Sequence, residues 1–362
     1  MKLCLLGPTA YAGAVDRRAA WPVPSDLCDR ETASKSFEIQ LAQFQLADEL
    51  GFDWVSVSEH HYAPGLMTPN PIVMAAAASQ RTKQVRIAVL GPLMPLTNPV
   101  RVAEEISMLD AISGGRAVVL PLRGTPNEHK TYSLDGKAPP FTREITQEGT
   151  RLMLRAWTDP GPFSWRGEHF NFEHVSLWPR PLQDPHPPVF FSGNSDESIE
   201  FAAANRLGIA IGFAPVAQVA KHIARYRECC AAAGWTPSSE HVLYRARALV
   251  APDDEQANAI VDRARAAMAA ARATRAEGTN YGPSAQAEAP RQAPGEGGGA
   301  PGVAGFQFFG TPRTILGQMK PFHEAGVGVL DVAFAGDAYG RGGTVKALNA
   351  IAEIIPEIHA LA

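Results

Sequence analysis

The chain of 362 residues carries 33 Lys and Arg against 37 Asp and Glu, and 45% of its residues are hydrophobic. This apolar content excludes an intrinsically disordered protein. The formal net charge of −4 provides no field that would attract a nucleic acid backbone or an anionic membrane surface. Neither nucleic acid nor membrane is therefore an expected partner.

The four cysteines, Cys4, Cys28, Cys229 and Cys230, have the spacing of neither a disulfide framework nor a zinc site. The N-terminal residues lack the apolar stretch and small-residue cleavage site of a signal peptide. No apolar run reaches the roughly 18 residues of a membrane helix. We therefore expect a reduced, soluble and cytoplasmic protein.

Short apolar runs alternate with segments of helical periodicity along the whole chain. This alternation predicts parallel strands joined by crossover helices. The predicted strands are, in chain order, Lys2–Leu6, Trp54–Ser58, Val85–Leu90, Ala117–Leu122, Val189–Ser192, Ile209–Phe213, Val242–Val250 and Val329–Ala335. The predicted helices cover residues 36–50, a segment after Pro71, and residues 100–109, 143–157, 196–205, 217–233, 253–276 and 345–360.

Eight strand–helix units in strict order predict an α/β fold, a closed (β/α)8 barrel. The alternative, a doubly wound open sheet, would need a glycine fingerprint after the first strand, and the sequence has none there. A hairpin is predicted over 163–175. Residues 277–305 hold eight glycines, four prolines and a single aliphatic residue, so this segment is predicted to be a mobile loop before strand eight. In a single domain over 1–362, it would be either an active-site lid or an inert linker.

In such a barrel the active site lies at the carboxyl ends of the strands. Strand two is followed by Glu59, His60 and His61, which form either a satisfied polar cluster or a site with a histidine acting as acid, base or hydrogen-bond donor. Adjacent residues of an extended chain point to opposite faces, and no HxH or HExxH spacing is present. No metal is therefore predicted.

Strand four is followed by Arg123 and Gly124. An arginine at this position would bind an anion through two parallel hydrogen bonds, and the glycine would let the backbone approach a ligand closely. The alternative is a surface arginine paired with Glu128.

Strand five is followed by a loop with Gly193, Asn194 and Ser195, and then by a helix that begins at about Asp196 and contains Ser198. Free N–H groups at the helix start and the two serine hydroxyls would bind a phosphate. The alternative is a simple helix cap, with Ser195 at the N-cap and Ser198 at the third helical position.

Several short motifs occur together in a specific order and spacing. On these motifs the chain resembles, over nearly its full length, the bacterial luciferase-like flavin-dependent oxidoreductases. The motifs are Ser58-Glu59-His60-His61, Asn70-Pro71, Asn98-Pro99-Val100-Arg101 with Glu104, Leu109-Asp110, Ser113-Gly114-Gly115-Arg116, Arg123-Gly124, the segment from Ser192 to Ala203, and Gly310-Thr311-Pro312.

The resemblance implies a (β/α)8 barrel that holds reduced FMN at its mouth. The flavin phosphate would bind Arg123, Ser195, Ser198 and Arg143, in contact with the loop at Gly193 and Asn194. His60 would be the catalytic residue, and His61 inherits no role. The family also implies a non-proline cis peptide bond under the flavin ring, which falls on Leu90–Gly91 in this sequence.

The function implied is that of a two-component monooxygenase. A separate NAD(P)H flavin reductase would supply FMNH₂ as a co-substrate, and a flavin C4a-peroxide formed with O₂ would oxygenate a small organic substrate. A homodimer formed by the helices after strands two and three is expected. Light emission is not, because Leu122 stands where luciferases often have cysteine.

Two alternatives remain open on the same fold. One is an F420-dependent hydride-transferring oxidoreductase, although the loops 62–70 and 91–98 contain no basic residue for an acidic cofactor tail. The other is a non-catalytic flavin-binding subunit. The substrate is not specified by the sequence. Four aromatic residues fall in the candidate rim and either indicate an apolar or planar organic substrate or are ordinary packing residues: Tyr11, Trp21, Tyr62 and Phe213.

Overall fold

The computed structural model describes residues 1–15, 21–132, 141–273 and 305–361. Strands and helices alternate through these ranges. The strands are β1 (Lys2–Leu6), β2 (Trp54–Val57), β3 (Arg86–Leu93), β4 (Ala117–Leu122), β5 (Phe163–Arg166), β6 (Asn171–Val175), β7 (Phe190–Ser192), β8 (Gly208–Gly212), β9 (Val242–Val250), β10 (Phe308–Gly310) and β11 (Val329–Ala335). The α-helices are α1 (Arg30–Glu49), α2 (Pro71–Arg81), α3 (Pro99–Ser113), α4 (Pro126–Tyr132), α5 (Thr142–Thr158), α6 (Asp196–Ala204), α7 (Val216–Ala232), α8 (Asp254–Ala273), α9 (Pro312–Ala325), α10 (Gly343–Ala352) and α11 (Ile355–His359).

The chain forms two compact units. The first unit comprises Met1–Leu6, Leu46–Trp54 and Ser192–Ala362, and the second comprises Gly7–Gln45 and Val55–Phe191. In the first unit β1, β11, β9 and β8 are successive neighbours, and the short β10 pairs with β9. In the second unit β2, β3 and β4 are successive neighbours, and β5 and β6 form the predicted antiparallel hairpin.

Parallel pairing and strand–helix alternation confirm the predicted fold class, an α/β (β/α)8 barrel. Strands β1, β4, β9 and β11 have the predicted bounds. The parallel strands are buried almost throughout, as expected when helices cover a parallel sheet, whereas β5 and β6 of the hairpin are largely exposed. α4, α9 and β10 were not anticipated from the sequence.

Several helices differ from their predicted bounds, and in two cases a single side chain explains the difference. α1 begins earlier, at Arg30, because the Asp29 carboxylate accepts the Thr32 backbone N–H at 2.8 Å and caps a polar first turn that has no apolar periodicity. The helix predicted over 345–360 is two helices, α10 and α11, because Pro356 lacks the N–H that a continuous helix would use.

The predicted cis bond at Leu90–Gly91 is wrong. The cis bonds among the described residues all precede proline, and this bond is trans. The chain turns instead through the backbone angle φ of Gly91, +134°, which glycine adopts without a Cβ penalty, next to an irregularity in the β3–β4 register. A non-proline cis bond would have cost about 3 kcal/mol or more.

Each unit has its own apolar core, and the interior of the second unit is completed by a buried indole. Trp157 on α5 is fully buried and donates its N–H to the Ala103 carbonyl and the Ser107 hydroxyl of α3, at 3.0 and 3.1 Å. In the first unit Tyr244 of β9 stacks on Phe322 of α9 with ring centroids 4.4 Å apart. The first contact joins α5 to α3, and the second packs α9 against β9.

The predicted lid or linker at 277–305 lies, except for Gly305, outside the described residues.

Candidate active site

Strands β2, β3 and β4 of the second unit end at one edge of the sheet. A Cβ added at Gly91 would lie 3.4 Å from the backbone nitrogen of Glu59 and 3.3 Å from a δ-carbon of Leu122. His60 and Arg123 are the residues that directly follow these two neighbours. The structure therefore gathers the sequence-predicted segments of this unit at one sheet edge.

His60 is paired with a buried carboxylate. Its Nδ1 lies 2.7 Å from Oε1 of Glu128, and the His60 side chain is 32% exposed whereas that of Glu128 is 5% exposed. The other Glu128 oxygen accepts the Thr125 backbone N–H at 2.6 Å. Burial alone would raise the pKa of Glu128, but the hydrogen bond and charge of His60 and the Thr125 N–H more than offset it, so the pKa is lowered.

This pairing fixes the proton on the imidazole. An ionised carboxylate only accepts hydrogen bonds, so His60 Nδ1 must carry the N–H that Glu128 accepts. The other nitrogen, Nε2, then accepts a proton in the neutral ring and donates one in the charged ring. His60 is thus an oriented, partly exposed acid–base group. Its partner is Glu128, which the alternative interpretation of the sequence paired with Arg123.

His61 is in a different environment. The buried ring places Nε2 at 3.1 Å from Oε1 of Glu59, and the second Glu59 oxygen accepts the Leu93 N–H at 3.2 Å. The Tyr132 hydroxyl lies 3.4 Å from His61 Nδ1, and burial together with the Glu59 charge raises the pKa of Tyr132. His61 therefore belongs to a satisfied polar cluster. In the described part of the chain no group of three His, Cys, Asp or Glu residues could hold a metal ion.

Arg123 is exposed at the end of β4. No carboxylate of the described residues lies within ion-pair distance of its guanidinium, because Glu128 is taken by His60. Its own carbonyl accepts a hydrogen bond from His129 Nε2 at 2.5 Å, and this bond holds α4 against the strand end. Gly124 has a φ of +80°, and a Cβ there would lie 3.0 Å from a δ-carbon of Leu93. The turn after Arg123 therefore requires glycine.

The loop after β7 caps the nine-residue helix α6 in the first unit. The Ser195 hydroxyl accepts the Ser198 N–H at 3.4 Å and lies 3.1 Å from the Ser198 hydroxyl, so Ser195 is the N-cap that the simpler alternative described. Gly193 is buried, with the Cγ1 of Ile211 only 2.9 Å from where a Cβ would be, and the exposed Asn194 accepts the Gly212 N–H at 3.3 Å.

The remaining predicted positions are of two kinds. Leu90 is fully buried, so its side chain belongs to the core and only its backbone is available to a ligand. Arg143 is the second residue of α5 and is half-buried. Its role as a phosphate ligand stays a prediction.

Among the predicted rim aromatics, Tyr11 is an ordinary packing residue, since it is buried and its hydroxyl accepts the Asp29 N–H at 2.9 Å. Trp21 donates its indole N–H to the His61 carbonyl at 2.9 Å and packs near Tyr62 with ring centroids 5.8 Å apart. Tyr62 is 53% exposed and has a φ of +55°. Trp21 and Tyr62 thus lie next to the residues that follow β2, and their role at a substrate rim stays a prediction.

Sequence reasoning missed the role of Glu128. The signal available was its position five residues after Arg123, within a short polar segment that forms α4. That spacing fits an arginine partner as well as a histidine partner, so only the fold distinguishes the two.

The family profile described as luciferase-like monooxygenase matches residues 20–328. The chain belongs to this family. It is 34% identical over 183 residues to the uncharacterized protein y4wF of Sinorhizobium fredii, covering 50% of this chain and 52% of that protein. It is 26% identical over 183 residues to the oxygenase component of the flavin-dependent trigonelline monooxygenase of Acinetobacter baylyi, covering 51% and 50%. The chain thus spans about half the length of the curated relatives it matches.

Solved structures show the same luciferase-like barrel. Monooxygenase RslO1 of Streptomyces bottropensis superposes with a TM-score of 0.73 at 25% identity, over 99% of this chain and 100% of that one. The FMN complex of the oxygenating constituent of 3,6-diketocamphane monooxygenase of Pseudomonas putida gives 0.70 at 18% identity, over 98% and 97%. An F420-dependent secondary alcohol dehydrogenase gives 0.71 at 18%, over 99% and 98%. No described helix is long and apolar enough to cross a membrane.

Proposed function

We propose that this protein is the oxygenase component of a two-component monooxygenase, which uses reduced FMN from a separate reductase and O₂ to oxygenate a small organic substrate. Family membership supports the reaction class, and the relative named as an oxygenase component supports the separate reductase. The observation that carries the proposal is the His60–Glu128 pair at the strand ends, because it supplies an oriented proton donor and acceptor.

The donor groups fit the phosphate of FMN. Arg123 offers an exposed guanidinium, and Ser195 and Ser198 offer hydroxyls at the N-terminal end of α6, where the helix dipole favours an anion. In the proposal these side chains and Arg143 hold the phosphate, while the backbone of Leu90, Gly91, Gly193 and Asn194 contacts the cofactor. Bound FMNH₂ supplies the electrons that activate O₂.

His60 acts on protons in this scheme. With Nδ1–H held by Glu128, Nε2 donates a proton to, or accepts one from, the reacting oxygen or the substrate. Trp21 and Tyr62 shield this part of the site from water, which protects a reactive intermediate from side reactions.

F420-dependent hydride transfer is the second candidate, and one observation favours it: the F420-dependent dehydrogenase matches the fold as well as the FMN enzyme does. Against it, the loops 62–70 and 91–98 present no basic side chain to an acidic tail. A non-catalytic flavin-binding subunit is disfavoured, because such a subunit has no need of an oriented histidine.

Anaerobic titration with FMNH₂ and, separately, with reduced F420 tests the proposal, followed by mixing with O₂ and measurement of oxygen consumption. We expect FMNH₂ binding that is retained in His60→Gln, with altered oxygen consumption in that variant. His174→Gln, which changes an exposed histidine of β6 in the same unit, is the matched control. Preference for F420 without oxygen consumption would replace the proposal with hydride transfer, and binding of neither would favour the non-catalytic subunit.

We also propose a homodimer formed through α2 and α3. Large apolar side chains are exposed on these two helices, with Val73 at 67%, and Met108 and Ile112 at 50% each. Light scattering of Met108→Glu should report a monomer if this face is the interface. Leu182→Glu, at a residue that is 63% exposed outside these helices, should leave the dimer intact. A dimeric Met108→Glu protein would refute this assignment of the interface.

A further inference from the structure

Strand β9 in the first unit carries two arginines on one face. Side chains alternate along a strand, so Arg245 and Arg247 lie opposite Tyr244, Ala246 and Ala248, which are fully buried. Tyr244 packs against α9, as its stacked contact there shows. The two guanidinium groups are therefore on the face of the strand that is turned away from this helix.

The first arginine is only partly satisfied. Arg245 Nε donates to the Asp331 carboxylate at 2.7 Å, and Asp331 is completely buried on the neighbouring strand β11. The Arg245 Nη2 is also buried, and no group of the described residues accepts its hydrogens. Unsatisfied buried donors are rare in folded proteins and commonly mark a site for a ligand or water.

The second arginine has no acidic partner among the described residues. The backbone of Arg247 exchanges hydrogen bonds with Gln307, whereas its half-buried guanidinium lies over the ring of Phe213 at 5.9 Å from the centroid. Burial, and then the charge of Arg245, lower the pKa of Arg247. Among the described residues, two guanidinium groups face the single carboxylate of Asp331, so this part of the cluster has one excess positive charge, which an anion would neutralise.

We propose that Arg247, supported by the Nη2 of Arg245 and the ring of Phe213, binds the carboxylate of a small organic monoacid, and that this acid is the substrate. A single excess charge matches a monocarboxylate better than a phosphate dianion, and a guanidinium matches a carboxylate through paired hydrogen bonds. Phe213, whose ring lies against the Arg247 guanidinium, adds an apolar surface beside the carboxylate site.

The position in the fold supports a substrate site. Phe213 directly follows β8, and Arg247 lies in the last half of β9, so both are toward the carboxyl ends of their strands. Enzymes of this fold bind their substrates at that end. Naming the acid as the substrate rests on the proposed monooxygenase function, whereas binding of the carboxylate does not.

Calorimetric titration of the purified full chain with benzoate, nicotinate and cyclohexanecarboxylate, each beside its uncharged amide, tests the inference. We expect at least one acid to bind and its amide to bind far more weakly. Arg247→Gln should weaken binding of the acid by about 30-fold or more, as truncation of a buried charge pair does. Arg313→Gln, which removes an exposed arginine of the same unit paired with Glu357, should leave binding unchanged.

A conservative variant of Arg247 and the response of FMNH₂ binding show whether the site binds the carboxylate of the acid or the phosphate of the flavin. Arg247→Lys keeps the charge but loses the paired geometry, and should bind the acid with intermediate strength even if Arg247→Gln folds poorly. If no acid binds, if acid and amide bind equally, or if Arg247→Gln weakens FMNH₂ rather than the acids, the inference is wrong. If an acid binds but FMNH₂ does not, the carboxylate site stands and the monooxygenase proposal fails.

Discussion

Glu128→Gln removes the negative charge beside His60 while keeping the shape of the side chain. The amide can present either its oxygen or its NH₂ group to His60 Nδ1, so the ring is no longer restricted to the tautomer with the proton on Nδ1. We expect oxygenated product per O₂ consumed to fall, while FMNH₂ binding is retained.

The size of the effect follows from the hydrogen bond that is lost. The 2.7 Å contact joins a partly exposed imidazole to a 5% exposed carboxylate, and such a charge-assisted bond contributes about 1.5–3 kcal/mol. At about 1.36 kcal/mol for each factor of ten, product formation should fall by about 10- to 150-fold. The double variant with His60→Gln should be hardly worse than His60→Gln alone, because both changes remove the same proton-handling unit.

Product yield, O₂ consumption and FMNH₂ affinity should be measured in parallel, with Glu173→Gln as the control. Glu173 forms an exposed ion pair with Arg166 on the hairpin of the same unit, and its removal should change none of the three quantities. A merely structural role for Glu128 would lower flavin affinity and thermal stability together. Full product yield in Glu128→Gln would refute the role assigned to the pair.

Three further variants test the framework around these sites. Asp331→Asn removes the carboxylate that pairs with the partly buried Arg245, and should lower the free energy of unfolding in urea titrations by about 3–5 kcal/mol. A loss below about 1 kcal/mol would contradict the pairing. Gly91→Ala forces alanine to a φ of +134° and should cost about 1–3 kcal/mol in the same assay, and an unchanged midpoint would show that the turn tolerates a side chain. Glu148 accepts three backbone N–H groups of the β5–β6 turn and the Trp165 N–H; burial opposes ionisation, but these donors more than offset it and lower its pKa. The ionised Glu148 therefore stabilises the fold fully above pH 4.5, its unfolded pKa, and this stabilisation is lost as the pH falls through the lower folded pKa. Glu148→Gln should unfold at a lower temperature than the parent at neutral pH, and the difference should shrink progressively below pH 4.5.

The sequence predicts the fold well where apolar runs are uninterrupted. β4 is such a run, ends before Arg123 and has the predicted bounds, and β9 and β11 also have the predicted bounds because most of their residues are apolar, although Arg245, Arg247 and Asp331 interrupt them. The prediction fails where a single side chain determines where a helix begins or ends. Asp29 starts α1 early and Pro356 divides the last helix, and neither effect changes the apolar periodicity on which the prediction depends.

The candidate site is predictable in its positions but not in its pairings. The rule that active sites lie at carboxyl strand ends identifies His60 and Arg123 from sequence alone. The partner of His60 depends on the path of a seven-residue helix, α4, whose polar sequence specifies no direction. The sequence does not identify the arginines of β9 as a site for a related reason. Their alternation with apolar residues predicts only a strand, and only the structure shows that the Arg245 Nη2 is buried without an acceptor among the described residues.

Four of the eight motifs behind the family resemblance contain a residue that stabilises the fold. Asn70 and Asn98 cap the helices α2 and α3, and Thr311 caps α9, each directly before a proline. Arg116 donates to the carbonyls of Ser79, Thr82 and Val85. These residues would serve any chemistry that the barrel performs, so the resemblance specifies architecture more firmly than reaction.

Reaction chemistry therefore depends on the few polar groups that the fold does not need. The N–H groups that a capping asparagine accepts explain why the fold needs it. By contrast, burying the Glu128 carboxylate, which is 5% exposed and pairs with the 32% exposed His60, costs free energy. The same holds for a guanidinium left without a counter-charge among the described residues. Proteins keep buried charged groups, despite the free-energy cost of burial, where a ligand or a proton transfer uses the group. Variants of Glu128 and Arg247, rather than of the motif residues, consequently separate what this protein does from what its family shares.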